Sequence, residues 1–186
     1  DDDALLERYG VRIPVLRRCS GGGTVLQGPG CLNYALVLQV RETGPFRTIT
    51  ATNAFVMEAH RQALLAVLGV AVEVQGHTDL AVHNLKFSGN AQRRKRNFLI
   101  FHGTFLLHFD LALIEELLRF PSKQPSYRQN RRHREFLLNL NIDPALVKNA
   151  LRKTWQADQS LDQPPGEIIE RLVKEKYSAE DWTASS

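Results

Sequence analysis

Apolar and polar positions divide the chain into short strand-like runs and helical runs that alternate without a fixed period. Residues 32–40 (LNYALVLQV) form a strongly apolar run with strand character, and residues 11–18 (VRIPVLRR) predict a shorter strand before it. A glycine-rich loop separates the two, and residues 41–48 (RETGPFRT) read as a turn or loop. From Asn53 to Leu68 apolar side chains recur at 56, 57, 63, 64, 67 and 68, the spacing of one helix face. Asn53 can cap that helix and Gly69 can end it. Val70 to Val74 and Leu80 to Val82 predict strands, and residues 97–109 predict two strands or one strand bent around Gly103. Asp110 is placed to cap a short helix over 111–119, whereas the Pro-, Ser- and Arg-rich stretch 120–134 predicts an exposed loop. Asp143-Pro144 joins a capping side chain to a proline in the first turn and opens another helix. A last helix is predicted from about Pro165 to Tyr177, after the turn at Pro164-Pro165. This order predicts an α/β (α+β) fold, a mixed sheet flanked by helices, and disfavours a doubly wound Rossmann sheet.

The chain's 186 residues suffice for one domain with a real core. Only Cys19 and Cys31 carry thiols, too few for a disulfide framework or a structural zinc site, which points to a reducing cytoplasm. No apolar run approaches the roughly 18 residues of a membrane span, and no signal peptide is visible. The start at Asp1-Asp2-Asp3, without methionine, fits a partial chain. The net charge of +4 is mild but uneven, concentrated at Arg93-Arg94-Lys95-Arg96 and over residues 128–134 (RQNRRHR). These are either solvated basic loops or a landing surface for an acidic partner. No zinc spacing, RNA-binding sheet signature or recognition-helix pattern supports nucleic acid as that partner.

Three segments carry candidate chemistry. The first is Arg17-Arg18-Cys19-Ser20-Gly21-Gly22-Gly23-Thr24-Val25-Leu26. Three consecutive glycines permit positive φ and leave backbone N–H groups bare for phosphate or carboxylate oxygens, with the Arg18 guanidinium as a planar donor fork. Val25 and Leu26 could wall an adenine or acyl pocket. The same run is also compatible with a glycine hairpin or linker, and it is neither a Walker A motif nor the spaced G-x-G-x-x-G of dinucleotide folds. In the second segment, Thr78 to Arg93, Lys86 stands between apolar residues ahead of Ser88-Gly89, read as a turn. Either its ammonium points inward, as a fixed positive charge near a carbonyl or phosphate, or it snorkels to water from a plain hairpin. Asp79 is a hard oxygen ligand suited to Mg2+. The third is His102-Gly103-Thr104, where His102 is either a general base or a hydrogen-bonded structural residue.

Taken together, "RRCSGGGTVLQGPGCLNY", "TDLAVHNLKFSGNAQRRKR" and "FLIFHGTFLL" resemble the lipoate–protein ligase A family in order and separation, firmly over about positions 11–110. The resemblance implies the catalytic fold shared with biotin ligases and related to class II aminoacyl-tRNA synthetases, with residues 1–186 as a single catalytic domain. It implies a two-step reaction in which lipoate and Mg-ATP give lipoyl-adenylate and pyrophosphate. A lysine of a lipoyl carrier domain, from a 2-oxoacid dehydrogenase E2 subunit or a glycine-cleavage H-like protein, then displaces AMP. It further implies that Lys86 is the catalytic residue, contacting the acyl carbonyl and adenylate phosphate, and that Asp79 lies near phosphate and metal. Arg18, Ser20, Gly21, Gly22 and Gly23, then Thr24, Val25 and Leu26, would line the nucleotide and lipoyl pocket. Ser88, Gly89, Ala91, Arg93 and His102 would complete it. Family members carry further N-terminal elements, and larger ones a C-terminal accessory domain, which implies that a separate partner could complete the activity. Octanoyl and lipoyl transferases of the same superfamily use a cysteine late in the fold, and no cysteine follows Cys31 here, which favours a ligase over a transferase. A non-catalytic lipoyl-binding subunit is the third reading. A biotin ligase is disfavoured, because S-G-G-G replaces its G-R-G-R loop.

Overall fold

The structure, a computed structural model, describes residues 13–179, 181 and 182. Two compact units divide the chain: Ser20–Asp158, and Asp1–Cys19 with Gln159–Ser186. The first holds five strands, β1 (Cys31–Gln39), β2 (Glu73–Gln75), β3 (Asp79–Val82), β4 (Leu85–Arg94) and β5 (Phe98–Leu106). They form one sheet in the order β1-β5-β4-β3-β2, antiparallel at every pairing. Among the described residues, the parallel component of the expected mixed sheet is one bridge between Lys86 and Leu137.

Alternation along the strands decides which face is covered. Leu32, Tyr34, Leu36 and Leu38 of β1 and Leu99, Phe101 and Phe105 of β5 point to one side and join the main core. Helix α1 (Ile49–Leu68) packs there because Thr52, Val56, His60 and Leu64, spaced by four, form one buried stripe. A later helix in this unit, Pro144–Thr154, adds Val147 and Leu151 to the same core. Between the two helices Trp155 Nε1 donates to His60 Nε2 at 2.9 Å. The core phenylalanines Phe87, Phe101 and Phe105 are fully buried, and each such side chain stabilises the fold by roughly 1.5–3 kcal/mol.

One row of the sheet depends on a glycine. Gly103 on β5 stands directly opposite Tyr34 on β1 and Asn90 on β4. A Cβ at Gly103 would run into the Asn90 carboxamide. That carboxamide accepts from Tyr34 OH at 2.6 Å and donates to Thr78 O at 2.7 Å.

The structure corrects several expectations. Residues 13–18 of the run 11–18 are not in a strand, since Pro14 has no N–H to give a ladder; residues 11 and 12 lie outside the described residues. Helix α1 starts a turn before Asn53, with Thr48 Oγ1 accepting from Ala51 N at 3.1 Å. Its C-terminal stop at Gly69, φ 66°, is as expected. The strand expected over 70–74 is confined to Glu73–Gln75, and 97–109 holds one strand, Phe98–Leu106, that passes through Gly103 without a break. Ser88-Gly89 is not a turn but lies within β4. The β3–β4 reversal is at His83-Asn84, whose φ values of 51° and 60° mark a type I′ hairpin. The cap at Asp110 opens α2 (Leu111–Leu117). Stretch 120–134 is more than an exposed loop: it contains the 3-10 turn Ser126–Arg128, with Arg128 buried, and leads into α3 (His133–Phe136). Pro144–Thr154 is α4, capped by Asp143 Oδ1 on Ala145 N at 2.8 Å.

In the second unit the helix expected from about Pro165 is α5 (Gly166–Leu172), continued by a π-helical turn, Val173–Tyr177. There Trp182 Nε1 donates to Arg17 O at 3.1 Å, and the Arg17 guanidinium lies 5.1 Å over the indole.

Two outcomes follow for stability. Burial pushes the His60 imidazole down to about 4 from its ordinary value, so the folded state keeps it neutral while the unfolded chain takes up a proton below about 6.5. His60 therefore contributes stability that is present above pH 6.5 and is lost as the pH falls toward 4, about 3 kcal/mol in all. Urea midpoints measured from pH 7 to pH 4.5 will fall more steeply for the parent than for His60→Gln, which keeps an acceptor for Trp155. Gly103→Ala, by displacing Asn90 from Tyr34 and Thr78, will lower the unfolding free energy by roughly 2–4 kcal/mol, read by thermal unfolding.

Candidate functional site

The sheet face opposite the main core carries most of the candidate residues. A regular β4 would send Lys86 and Gly89, three residues apart, to opposite faces. The β3–β4 register shifts between Leu80 and Ala81: Ser88 pairs with Leu80, but Lys86, not Phe87, pairs with Ala81. This bulge leaves Phe87 extra and turns Lys86 onto the face of Gly89 and its cross-strand partner Asp79. Lys86 Nζ then reaches Asp79 Oδ1 at 2.7 Å. Gly89 is the floor under that pair, since a Cβ there would come within 3.0 Å of Lys86 Nζ. The Lys86 and Asp79 side chains keep 27% and 15% of their exposure, open enough for a ligand and sheltered enough to strengthen a charge interaction.

Asp79 has a second partner that the sequence does not suggest. Tyr127 OH donates to Asp79 Oδ2 at 2.9 Å. Burial first, and then the Asp79 carboxylate, push the Tyr127 phenol well above its ordinary range, so its oxygen stays a donor. No local pattern marks Tyr127, which sits 48 residues away in a polar stretch.

Two anchors fix the glycine loop across this face. Gly89 stands opposite Thr104, and Thr104 opposite Asn33, so Asp79, Gly89, Thr104 and Asn33 form one row over four strands. Gln27 Nε2 donates to Thr104 Oγ1 at 2.9 Å, and Thr104 Oγ1 donates to Asn33 Oδ1 at 2.6 Å. In the neighbouring row, Ala91, His102 and Ala35 stand side by side, and Ser20 Oγ shares a 2.6 Å hydrogen bond with His102 Nε2. Between these anchors Gly21 to Val25 are exposed. Gly22 needs glycine for its φ of 104°, but a Cβ at Gly21 or Gly23 would meet nothing within 4 Å. Internal packing therefore gives no reason for glycine at 21 and 23. Beyond the anchor, Gly30 is obligatory: its φ is 93°, and a Cβ would strike the His108 backbone.

The expected site residues thus separate. Asp79, Lys86, Gly89, Ala91, Arg93 and His102 share one face, and Ser20, Gly21, Gly22, Gly23, Thr24 and Val25 cross it. Leu26 packs instead with Leu106, Phe109 and Ile114 in a second apolar cluster. Ser88 is buried on the core side, bonded to Asn90 at 3.2 Å. Arg18 belongs to the other unit. Of the basic runs, Arg94 is tied down by Phe46 O at 2.8 Å and Thr52 Oγ1 at 2.9 Å. Arg128 is stacked between Phe120 and Phe136 at 4.8 Å from each. Lys95, Arg96, Arg132 and Arg134 remain exposed. Cys31 packs in the Leu106 cluster, where burial raises its thiol above the ordinary value. A cavity of about 330 Å³ lined by Val67, Leu68, Val82, Leu138 and Ile142 has no ionisable residue in its wall and carries none of this chemistry.

Among the described residues no three His, Cys, Asp or Glu side chains converge as a metal cage. Asp79 is the single carboxylate of the cluster, with both oxygens engaged. A Mg2+ expected beside Asp79 would therefore draw most of its oxygen ligands from a bound phosphate and water, with this one carboxylate at its edge.

Known proteins share this fold. The chain is 27% identical over 181 residues to lipoate–protein ligase 1 of Staphylococcus aureus, covering 91% of this chain and 53% of that protein, so it spans about half of that relative's length. It is 27% identical over 188 residues to lipoate-protein ligase A subunit 1 of Thermoplasma acidophilum, covering 91% and 71%. It is 25% identical over 184 residues to octanoyltransferase LipM of Oceanobacillus iheyensis, covering 88% and 67%. The fold matches a lipoate-protein ligase A bound with ATP, with a TM-score of 0.80 at 22% identity over 98% of this chain and 75% of the other. It matches a bipartite lipoate protein ligase from T. acidophilum, described with its E2 lipoyl domain, with a TM-score of 0.78 at 22% identity over 97% and 73%. A T. acidophilum protein with bound lipoic acid gives a TM-score of 0.75 at 21% identity over 100% and 76%. The family description of the lipoyl protein ligase A/B catalytic domain matches residues 4–159, most of the chain, and this chain belongs to that family.

Proposed function

We propose that this chain is the catalytic part of a lipoate–protein ligase that activates lipoate with ATP and transfers it to a lysine of a lipoyl carrier domain. The observation that carries the reading is the Lys86–Asp79 pair at 2.7 Å on the same sheet face as the anchored glycine loop. In the first step a lipoate carboxylate oxygen attacks the α-phosphorus of ATP and pyrophosphate leaves. In the second, the carrier lysine's amine attacks the acyl carbon, AMP leaves, and the amine loses a proton. Both steps gather negative charge on phosphate or acyl oxygen, and a fixed ammonium stabilises it without reorganising solvent. An added side chain at Gly21 or Gly23 would stand in open space, so glycine there leaves room for a ligand beside the loop. Gly89, Ala91 and Ala35 keep the floor beneath low. The reaction needs no protein nucleophile: adenylation supplies the leaving group, and catalysis is positioning plus electrostatics.

Relatives bound with ATP and with lipoic acid support this choice of substrates. The bipartite relative described with an E2 lipoyl domain supports a lipoyl carrier as acceptor and a separate accessory chain as partner. Exposed Lys95, Arg96, Arg132 and Arg134 are the cations available to an acidic carrier. We place the enzyme in the cytoplasm, in keeping with its having only two cysteines. Among the described residues no helix is long and apolar enough to cross a membrane.

Lipoate-dependent ATP–pyrophosphate exchange, with the accessory partner added where needed, tests the first step. Lys86→Ala will slow transfer from preformed lipoyl-adenylate by about 10²–10³-fold, the usual loss for one electrostatic donor. Undiminished transfer would falsify the role of Lys86. A transferase using Cys31 would need a thiolate, whereas burial favours the neutral thiol there. Cys31→Ser will retain activity within about twofold, and intact-mass spectra after incubation with an octanoyl carrier will show no acyl adduct on the parent. An adduct that disappears in Cys31→Ser would move the reading to a transferase.

A further inference from the structure

We infer that Tyr127 is a positioning residue for the reaction proposed above, holding Asp79 so that Lys86 is presented in one fixed place. The inference rests on that functional reading for its kinetic consequence and on the contacts alone for its geometry.

A carboxylate on a strand rotates about its terminal torsion unless both oxygens are held. Asp79 gives Oδ1 to Lys86 at 2.7 Å and Oδ2 to Tyr127 at 2.9 Å, so its plane is defined from both sides. Lys86 has a long flexible stem, and its ammonium is placed by Asp79 and by the floor at Gly89. Removing the Tyr127 hydroxyl frees the carboxylate to swing and lets the lysine head follow it.

Tyr127 is itself held on every side. Its ring lies 5.1 Å from the Phe136 ring and packs near Gly76, whose φ of 57° turns the β2–β3 connection beneath it. Arg131 Nη2 donates to Tyr127 O at 2.8 Å and to Asn84 O at 3.0 Å, which ties the 3-10 turn to the β3–β4 hairpin. Arg128 Nε and Arg131 O meet at 2.9 Å, and Arg131 Nε and Arg128 O at 3.1 Å, so the two arginines lock the turn reciprocally. Leu138 N donates to Lys86 O at 2.9 Å, so the segment after α3 holds the lysine's backbone as well. A stretch that its composition marks as a solvated basic loop is thus a brace, and three of its side chains, Tyr127, Arg128 and Arg131, face inward.

The test combines a kinetic cycle with a spectroscopic signature in the full chain. Tyr127→Phe, Asp79→Asn and the double variant are compared in lipoate-dependent ATP–pyrophosphate exchange. Tyr127→Phe will lower kcat about tenfold, the order expected for one hydrogen bond to a charged group, with the KM for lipoate within about twofold. The double variant will be no slower than Asp79→Asn alone, because the phenol acts only through that carboxylate. Independently of activity, the Lys86 Cε–Hε signal of 13C-lysine-labelled protein, assigned with Lys86→Arg, will move in Tyr127→Phe, while the signals of the remote Lys148 and Lys153 stay. An unmoved Lys86 signal overturns the inference, and so do multiplicative rate losses in the double variant. If the parent shows no lipoate-dependent exchange even with the accessory partner added, while the Lys86 signal moves as stated, the functional reading fails and the brace stands.

Discussion

The candidate site depends on one irregularity in an otherwise regular antiparallel ladder, the extra residue at Phe87. In an unbroken strand the side chains two apart share a face, and Lys86 would point into the core beside Ser88 and Asn90. The bulge reverses that parity for a single step, so Phe87 fills the core while Lys86 crosses to Asp79. Burying Phe87 and presenting Lys86 are therefore one event. The apolar energy of a fully buried phenylalanine holds the lysine's backbone in the conformation that aims its charge.

Around that point, the two faces of the sheet do different work with the same strands. On one face, alternate residues of β1 and β5 meet α1 and α4 and make the core. On the other, the intervening positions are small or polar: Gly89, Ala91, Ala35, Thr104, Asn33 and His102. The polar ones are used to hold down a loop rich in glycine. Serine at one end and glutamine at the other give the loop fixed ends and an exposed middle, a compromise between order and access.

Much of this is legible in the sequence where the signal is local. The apolar run of β1, the stop at Gly69, the caps at Asp110 and Asp143 and the small segments around Gly21, Lys86 and His102 each depend on neighbours in the chain. What is not legible depends on distant partners. Thr52 precedes the helix expected from Asn53 and His60 is a polar residue within it, yet both lie on the buried stripe of α1, one bonded to Thr48 O and the other to Trp155. Ser88-Gly89 has turn composition, but β3 and β5 flank it on both sides and keep it extended. Tyr127 and Arg128 sit in a segment whose polarity says loop, and only the placement of Asp79, Phe120 and Phe136 shows why they face inward.

The row through Tyr34, Gly103 and Asn90 has a consequence for how such a sheet can change over time. The Asn90 side chain occupies the volume that any larger residue at 103 would need, and its oxygen satisfies a buried phenol. A side chain gained at 103 must be matched by a smaller one at 90, and that in turn leaves the phenol of Tyr34 to be lost or re-paired. The three positions are therefore coupled: a larger residue at 103 is tolerated only after a change at 90, so the order in which they can change is set by this contact.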